Sequence, residues 1–223
     1  MRIGFLHTAE VHVGTFERLV RERAPGAHLV HVVDESLLAD ARARGGVDPD
    51  LHARILARLA EAGDGVEALV CTCSTISGDA EAAAAGLGMP VVRVDRPMAE
   101  RAVAAGSRIA VIAAVESTVA PTVALLEDVA EKTGRTPEIE PCLVPGAWEL
   151  FEAGDMSGYH DAVARAVEAV RSDSDAVVLA QASMAAVAAR FEGNPPVLSS
   201  PVLAVEAALA LAARRAAGQT SRQ

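Results

Sequence analysis

Short, mostly apolar runs alternate along the chain with longer stretches in which apolar and charged positions recur at helical spacing. Arg2 to His7 reads as a strand, Thr8 to Glu10 as a polar turn, and Thr15 to Arg23 as a helix stopped by Pro25-Gly26. Ala27 to Val33 is a second strand. Asp34, Glu35 and Ser36 are turn and cap residues before a helix over Leu37 to Arg44, which Gly45-Gly46 end. A longer helix, about Asp48 to Ala62, leads into Gly65 to Gly78, where an apolar strand gives way to thiols and hydroxyls. Asp79 to Gly86 reads as a helix and Pro90 to Val94 as a fourth strand. Strands regularly separated by helices predict a parallel sheet.

After a helix beginning near Pro97 the order restarts. Ser107 to Ala114 is a strand and Pro121 to Lys132 a helix. Thr136 to Val144 is a strand whose Pro141 predicts an edge position. A loop over Pro145 to Asp155 precedes a helix from Tyr159 to Arg171. The strand after Asp175, which ends in Gln181-Ala-Ser183-Met, mirrors the strand that ends in Cys73. Pro196 to Ser200 mirrors Pro90 to Val94, and an alanine-rich helix, about Val202 to Ala217, precedes a polar tail. The repeat predicts an α/β protein of two pseudo-symmetric flavodoxin-like lobes, each a four-stranded parallel sheet flanked by helices, with a cleft between them. The predicted lobes are residues 1–96 with 201–223, and residues 97–200.

Cys73, Ser74 and Thr75 fall between the carboxyl end of a strand and the amino end of a helix, where open α/β sheets bind ligands. Unpaired N–H groups and the helix dipole at such a place favour an anion, and predict a thiolate at Cys73 in preference to a thiol. A depressed thiol pKa with fast alkylation would mark catalysis, and an inert thiol would mark binding or scaffold. Cys71, in mid-strand, reads as core. Ser74, Thr75, Ser117, Thr118 and Ser183 are candidates to hold a carboxylate and a developing oxyanion, or singly to cap helices. Gln181, with Ala182 beside it, reads as a substrate ligand or as an amide satisfying nearby backbone. Thr8 and Glu10 end the first strand and are placed to line the cleft. His7 is either a proton relay or a satisfied strand histidine. Trp148 and Phe151 read as packing for their loop, with a lid over an apolar group as the alternative.

The net charge of −10 with no basic stripe argues against nucleic acid and anionic membrane as partners. No apolar run approaches the roughly 18 residues that span a bilayer, and the amino terminus reads as a strand rather than a secretory signal. The expected location is the cytoplasm. Three cysteines fit reduced thiols better than a disulfide framework. Cys71-Thr-Cys73 has no second ligand pair at metal spacing, so neither a metal nor a cofactor is expected.

Taken in order and spacing, Cys73-Ser-Thr after the third strand, Leu179-Ala-Gln181-Ala-Ser183-Met after the corresponding strand of the second half, and Pro196-Val-Leu-Ser-Ser200 before the closing helix resemble the aspartate/glutamate/hydantoin racemase superfamily, which includes arylmalonate decarboxylase and maleate isomerase. The resemblance covers nearly the whole chain. It implies a cofactor-independent enzyme that acts beside the carboxylate of a small acid, in a family whose members are often dimers or larger. Family racemases use two cysteines on opposite faces of the substrate, whereas position 181 here is Gln, which is no base near neutral pH. Cys142 lies in a predicted strand and does not replace it. The resemblance therefore implies a one-thiol isomerase, decarboxylase or lyase with Cys73 as proton donor or nucleophile. Arylmalonate decarboxylase is the analogue, although its thiol lies in the second lobe. Alternatives are a small-acid binding protein without turnover, and a racemase whose second base lies elsewhere.

Overall fold

The computed structural model describes residues 1–220, and Ser221 to Gln223, the end of the expected polar tail, lie outside the described residues. The elements of the first half are β1 (Arg2–His7), α1 (Val11–Arg23), β2 (His28–Val33), α2 (Glu35–Arg44), α3 (Pro49–Gly63), β3 (Ala68–Cys71), α4 (Ser77–Ala82), α5 (Ala84–Leu87) and β4 (Val91–Arg93). The second half has α6 (Arg96–Ala105), β5 (Arg108–Ala113), α7 (Glu116–Thr133), β6 (Glu138–Leu143), α8 (Ala147–Glu152), α9 (Met156–Arg171), β7 (Ala176–Leu179), α10 (Ala185–Ala188), β8 (Val197–Ser199) and α11 (Ser200–Thr220). A 3-10 turn, Ala182–Met184, joins β7 to α10. The described residues form two compact units, residues 1–94 with 201–220, and residues 95–200.

Each unit has one four-stranded, wholly parallel sheet, ordered β2-β1-β3-β4 in the first and β6-β5-β7-β8 in the second. The central strands β1, β3, β5 and β7 are almost wholly buried, as their unbroken apolar runs require. β6 is an edge strand, so the N–H that Pro141 lacks is not needed by a second neighbour. One face of the first sheet buries Leu6, Leu69, Cys71 and Cys73 against Leu51, Ile55 and Leu59 of α3 and Ile76 before α4. The corresponding face of the second buries Ile112, Val177 and Leu179 against Tyr159, Val163 and Val167 of α9. Asp34 and Asp48 cap α2 and α3 through their carboxylates, which accept from the N–H groups of Ser36 and Leu51.

Several boundaries depart from the sequence reading; α1 begins at Val11 rather than Thr15, and α9 at Met156 rather than Tyr159. Pro145 to Asp155 is not all loop, because α8 occupies its centre; a six-residue helix is too short to display a period. α7 begins at Glu116, five residues before Pro121, which lies inside the helix and sacrifices only the bond to the carbonyl four residues back. The run from Asp79 to Gly86 is broken into α4 and α5 at Ala83.

Gly4 is the one glycine of a central strand, and packing requires it. A Cβ there would overlap the backbone carbonyl of Ala62 at the end of α3. Neither β1 nor α3 can retreat without breaking the sheet, so Gly4→Ala is expected to cost about 3 kcal/mol by denaturant unfolding, the upper end for overpacking.

Candidate functional site

Strand register decides what stands at the carboxyl end of the first sheet. Leu6 of β1 pairs with Cys71 of β3, so the segments leaving the two strands run side by side, one carrying Thr8 and the other Cys73. The Thr8 hydroxyl bonds to the Cys73 sulfur, as do the Thr75 hydroxyl and the backbone N–H groups of Thr75 and Ile76. Thr8, Cys73, Ser74 and Thr75 are all buried. The Ser77 hydroxyl donates to the Cys71 carbonyl at 3.0 Å and closes the turn beneath the thiol.

The expected thiolate is not what this setting favours. Burial is the largest influence on Cys73 and pushes its thiol above the ordinary cysteine range, outweighing the hydrogen bonds that pull it down. α4, the helix whose dipole was to favour the anion, has only six residues. At neutral pH Cys73 is therefore a protonated thiol whose sulfur already faces several donors. Such a group is suited to give up a proton rather than to take one or to attack carbon.

Behind the thiol, on the other face of the sheet, lies a polar line that the sequence reading mostly missed. His7 Nδ1 is 2.9 Å from the Thr72 hydroxyl, and His7 Nε2 is 2.9 Å from His31 Nδ1. Both imidazoles stack with Phe5. His7 is held down to about 3, by burial first and then by the nearby His31 and His12. His12 is held to about 4 by burial. The available signal was strand alternation, which puts Thr72 on the opposite face from Cys71 and Cys73. Glu10 is exposed, and its backbone N–H donates to the Glu35 carboxylate at 3.3 Å.

In the second unit Gln181 stands two residues beyond β7, as Cys73 stands two beyond β3. Its Oε1 accepts the backbone N–H of Ala114 at 2.9 Å, which fixes the amide so that Nε2 points elsewhere. Nε2 is buried without a hydrogen-bond partner, and so is the Ser117 hydroxyl in the first turn of α7. The other predicted residues of this unit have the following surroundings. The N–H of Thr118, which is buried, donates to the Val115 carbonyl at 3.1 Å. Ala182 is buried at the start of the 3-10 turn. The Ser183 hydroxyl meets the Tyr159 hydroxyl at 2.8 Å, and its carbonyl lies 3.1 Å from His160 Nε2, both on α9. Trp148 stacks on Phe151, which packs against Tyr159, so the aromatic pair of α8 belongs to the core of this unit. Cys142 is on β6, paired in register with Ile112. Among the described residues no group of three or more His, Cys, Asp or Glu could hold a metal ion, and no helix is long and apolar enough to cross a membrane.

Two parallel four-stranded sheets of the same strand order, one ending in a buried thiol and the other in a fixed amide, define a doubled α/β protein with its polar residues at the carboxyl ends of the central strands. The chain belongs to the Asp/Glu/Hydantoin racemase family, whose model matches residues 8–208. Among solved structures it is similar to the aspartate racemase of Picrophilus torridus, at 14% identity and a TM-score of 0.67 over 96% of this chain and 95% of that one. The glutamate racemase of Francisella tularensis subsp. tularensis, solved with D-glutamate, is 16% identical with a TM-score of 0.69 over 96% and 81%. A glycine-to-cysteine variant of arylmalonate decarboxylase in its sulfate-associated form is 17% identical with a TM-score of 0.58 over 96% and 94%. At these identities the likeness is one of fold. No curated protein matches the chain in sequence.

Proposed function

We propose that the chain is a cofactor-independent enzyme that protonates the carbon next to the carboxylate of a small acid, with the Cys73 thiol as the proton donor. The observation that carries this reading is the pairing of a protonated, buried thiol with hydroxyl and N–H donors from Thr8, Thr75 and Ile76. When an enediolate at the substrate takes the proton, the S–H bond breaks, a C–H bond forms and the electron pair stays on sulfur. Those donors are already in place for the thiolate, so little reorganisation is needed as charge develops. The next proton comes from solvent. Decarboxylation of a diacid suits one thiol: the carbon–carbon bond breaks, carbon dioxide leaves, and the pair it leaves behind is protonated once. Racemisation would need a second acid–base group, and the amide of Gln181 cannot serve as one.

Gln181 Nε2 and the Ser117 hydroxyl are the proposed carboxylate donors of the second unit, because both are buried without a partner and Gln181 cannot flip without losing the Ala114 N–H. Gln181→Glu keeps an acceptor for Ala114 and replaces the donor with negative charge. It is expected to weaken binding of the acid about a hundredfold, since like charges brought together cost several kcal/mol; isothermal titration with a bound acid checks this.

The raised thiol pKa also favours a second reading, a small-acid binding protein in which Cys73 is silent. Proton NMR on a panel of small mono- and dicarboxylic acids separates the two. Consumption of an acid by the wild type but not by Cys73→Ala supports the enzyme. Shifted ligand resonances with both proteins and turnover with neither support the binding protein.

A further inference from the structure

We propose that His7, held between Thr72 and His31 as a neutral imidazole with its proton on Nδ1, is a positioning residue for the Cys73 thiol. The inference rests on Cys73 being the proposed functional group, but its geometry stands independently. His7 and Thr72 each immediately precede a residue of the thiol contact: His7 comes before Thr8, and Thr72 before Cys73. A hydrogen bond of 2.9 Å between His7 and Thr72 thus ties the ends of β1 and β3 where Thr8 must meet the sulfur. Both tied side chains are enclosed, His7 at 0% and Thr72 at 2% exposure, so water cannot substitute for either partner.

The proton positions follow from counting donors. Thr72 has one hydroxyl proton, and its oxygen lies 3.1 Å from the Leu6 carbonyl, which can only accept. That proton therefore goes to Leu6, and the 2.9 Å contact with His7 is made by an N–H on His7 Nδ1. His7 Nε2 is then a lone pair, and the 2.9 Å contact there requires an N–H on His31 Nδ1. The line ends at His31 Nε2, which is left as a lone pair without a hydrogen-bond partner, 4.0 Å from the Glu17 carboxylate. The reversed arrangement would turn an N–H of His31 toward Glu17, but would set the Thr72 hydroxyl oxygen 3.1 Å from the Leu6 carbonyl without donating to it, leaving that carbonyl only the Thr72 backbone N–H at 3.0 Å. The buried contact is the more costly, because Glu17 is partly exposed and water screens it. The outcome is a directed chain of donors, His31 to His7 to Thr72 to Leu6, running from the edge strand β2 past the end of β3 that bears the thiol and back to β1.

The test reads tautomers and thiol behaviour, neither of which depends on turnover. Long-range nitrogen–proton NMR on protein labelled with 15N-histidine is expected to show Nδ1–H and bare Nε2 for both His7 and His31 at neutral pH; Nε2–H on either overturns the assignment. Thr72→Val keeps the shape of the side chain and removes the oxygen. With the tie gone, the Thr8 hydroxyl is held less well against the sulfur, so less thiolate forms, and alkylation of Cys73 by iodoacetamide at pH 8 is expected to slow about fivefold, one hydrogen bond's worth. Thr72→Ser restores the wild-type rate. Unchanged or faster alkylation in Thr72→Val means that His7 and Thr72 only pack the strands, and overturns the proposal. Loss of the proposed enzyme activity as a reading would show instead as absent turnover in the wild type, with these results unaffected.

Discussion

Stability is expected to fall by about 4 kcal/mol between pH 7 and pH 5, about 2 kcal/mol for each of His7 and His12. In the folded chain the two are held down to about 3 and about 4, mainly by burial. In the unfolded chain both return to the ordinary histidine value of 6.5. Below that value the unfolded state binds protons that the folded state refuses. The stabilisation is thus complete above about pH 6.5 and is lost progressively as the pH falls toward the folded values. His31 is lowered as well, by burial first, with Glu17 and Glu10 opposing, and it adds to the effect in the same direction. Urea unfolding at the two pH values measures it. His12→Gln is expected to remove about half of the slope, and a flat profile would mean that these histidines are solvated in the folded protein.

Replacement of Cys73 by Ser is expected to lower turnover of the acid by about a thousandfold, within the usual range for removing a positioned general acid. The hydroxyl fits the same space and meets the same donors from Thr8, Thr75 and Ile76. It fails because a hydroxyl holds its proton far more tightly than a thiol, so the variant folds and binds but does not protonate. Rates of product formation at saturating acid, beside a circular dichroism spectrum matching the wild type, measure the loss.

Both effects trace to features that were unequally legible in the chain. The succession of strands and helices could be read because the strands are short apolar runs set off by Gly, Pro or a capping Asp, as at Asp34 after β2. Cys73 stood out because it interrupts such a run at its carboxyl end. The protonation state of that thiol could not be read, because it depends on how fully Thr8 and the turn over residues 74–76 enclose it, which no local pattern encodes. α8 escaped notice because six residues carry no period. The His7, Thr72 and His31 line escaped because its members are 24 and 65 positions apart in the chain and meet only through the pairing of β1 with β2 and β3. Ser183 looked like a ligand from its place after β7, yet its hydroxyl is engaged by Tyr159 of α9, a contact set by helix packing.

The most direct test of single-sided proton delivery by Cys73 is the handedness of a product formed in heavy water from a prochiral disubstituted malonic acid. One thiol on one face predicts a single enantiomer carrying one deuteron at the carbon beside the remaining carboxylate, and no product from Cys73→Ala. A racemic product, or equal turnover by the variant, would contradict the account.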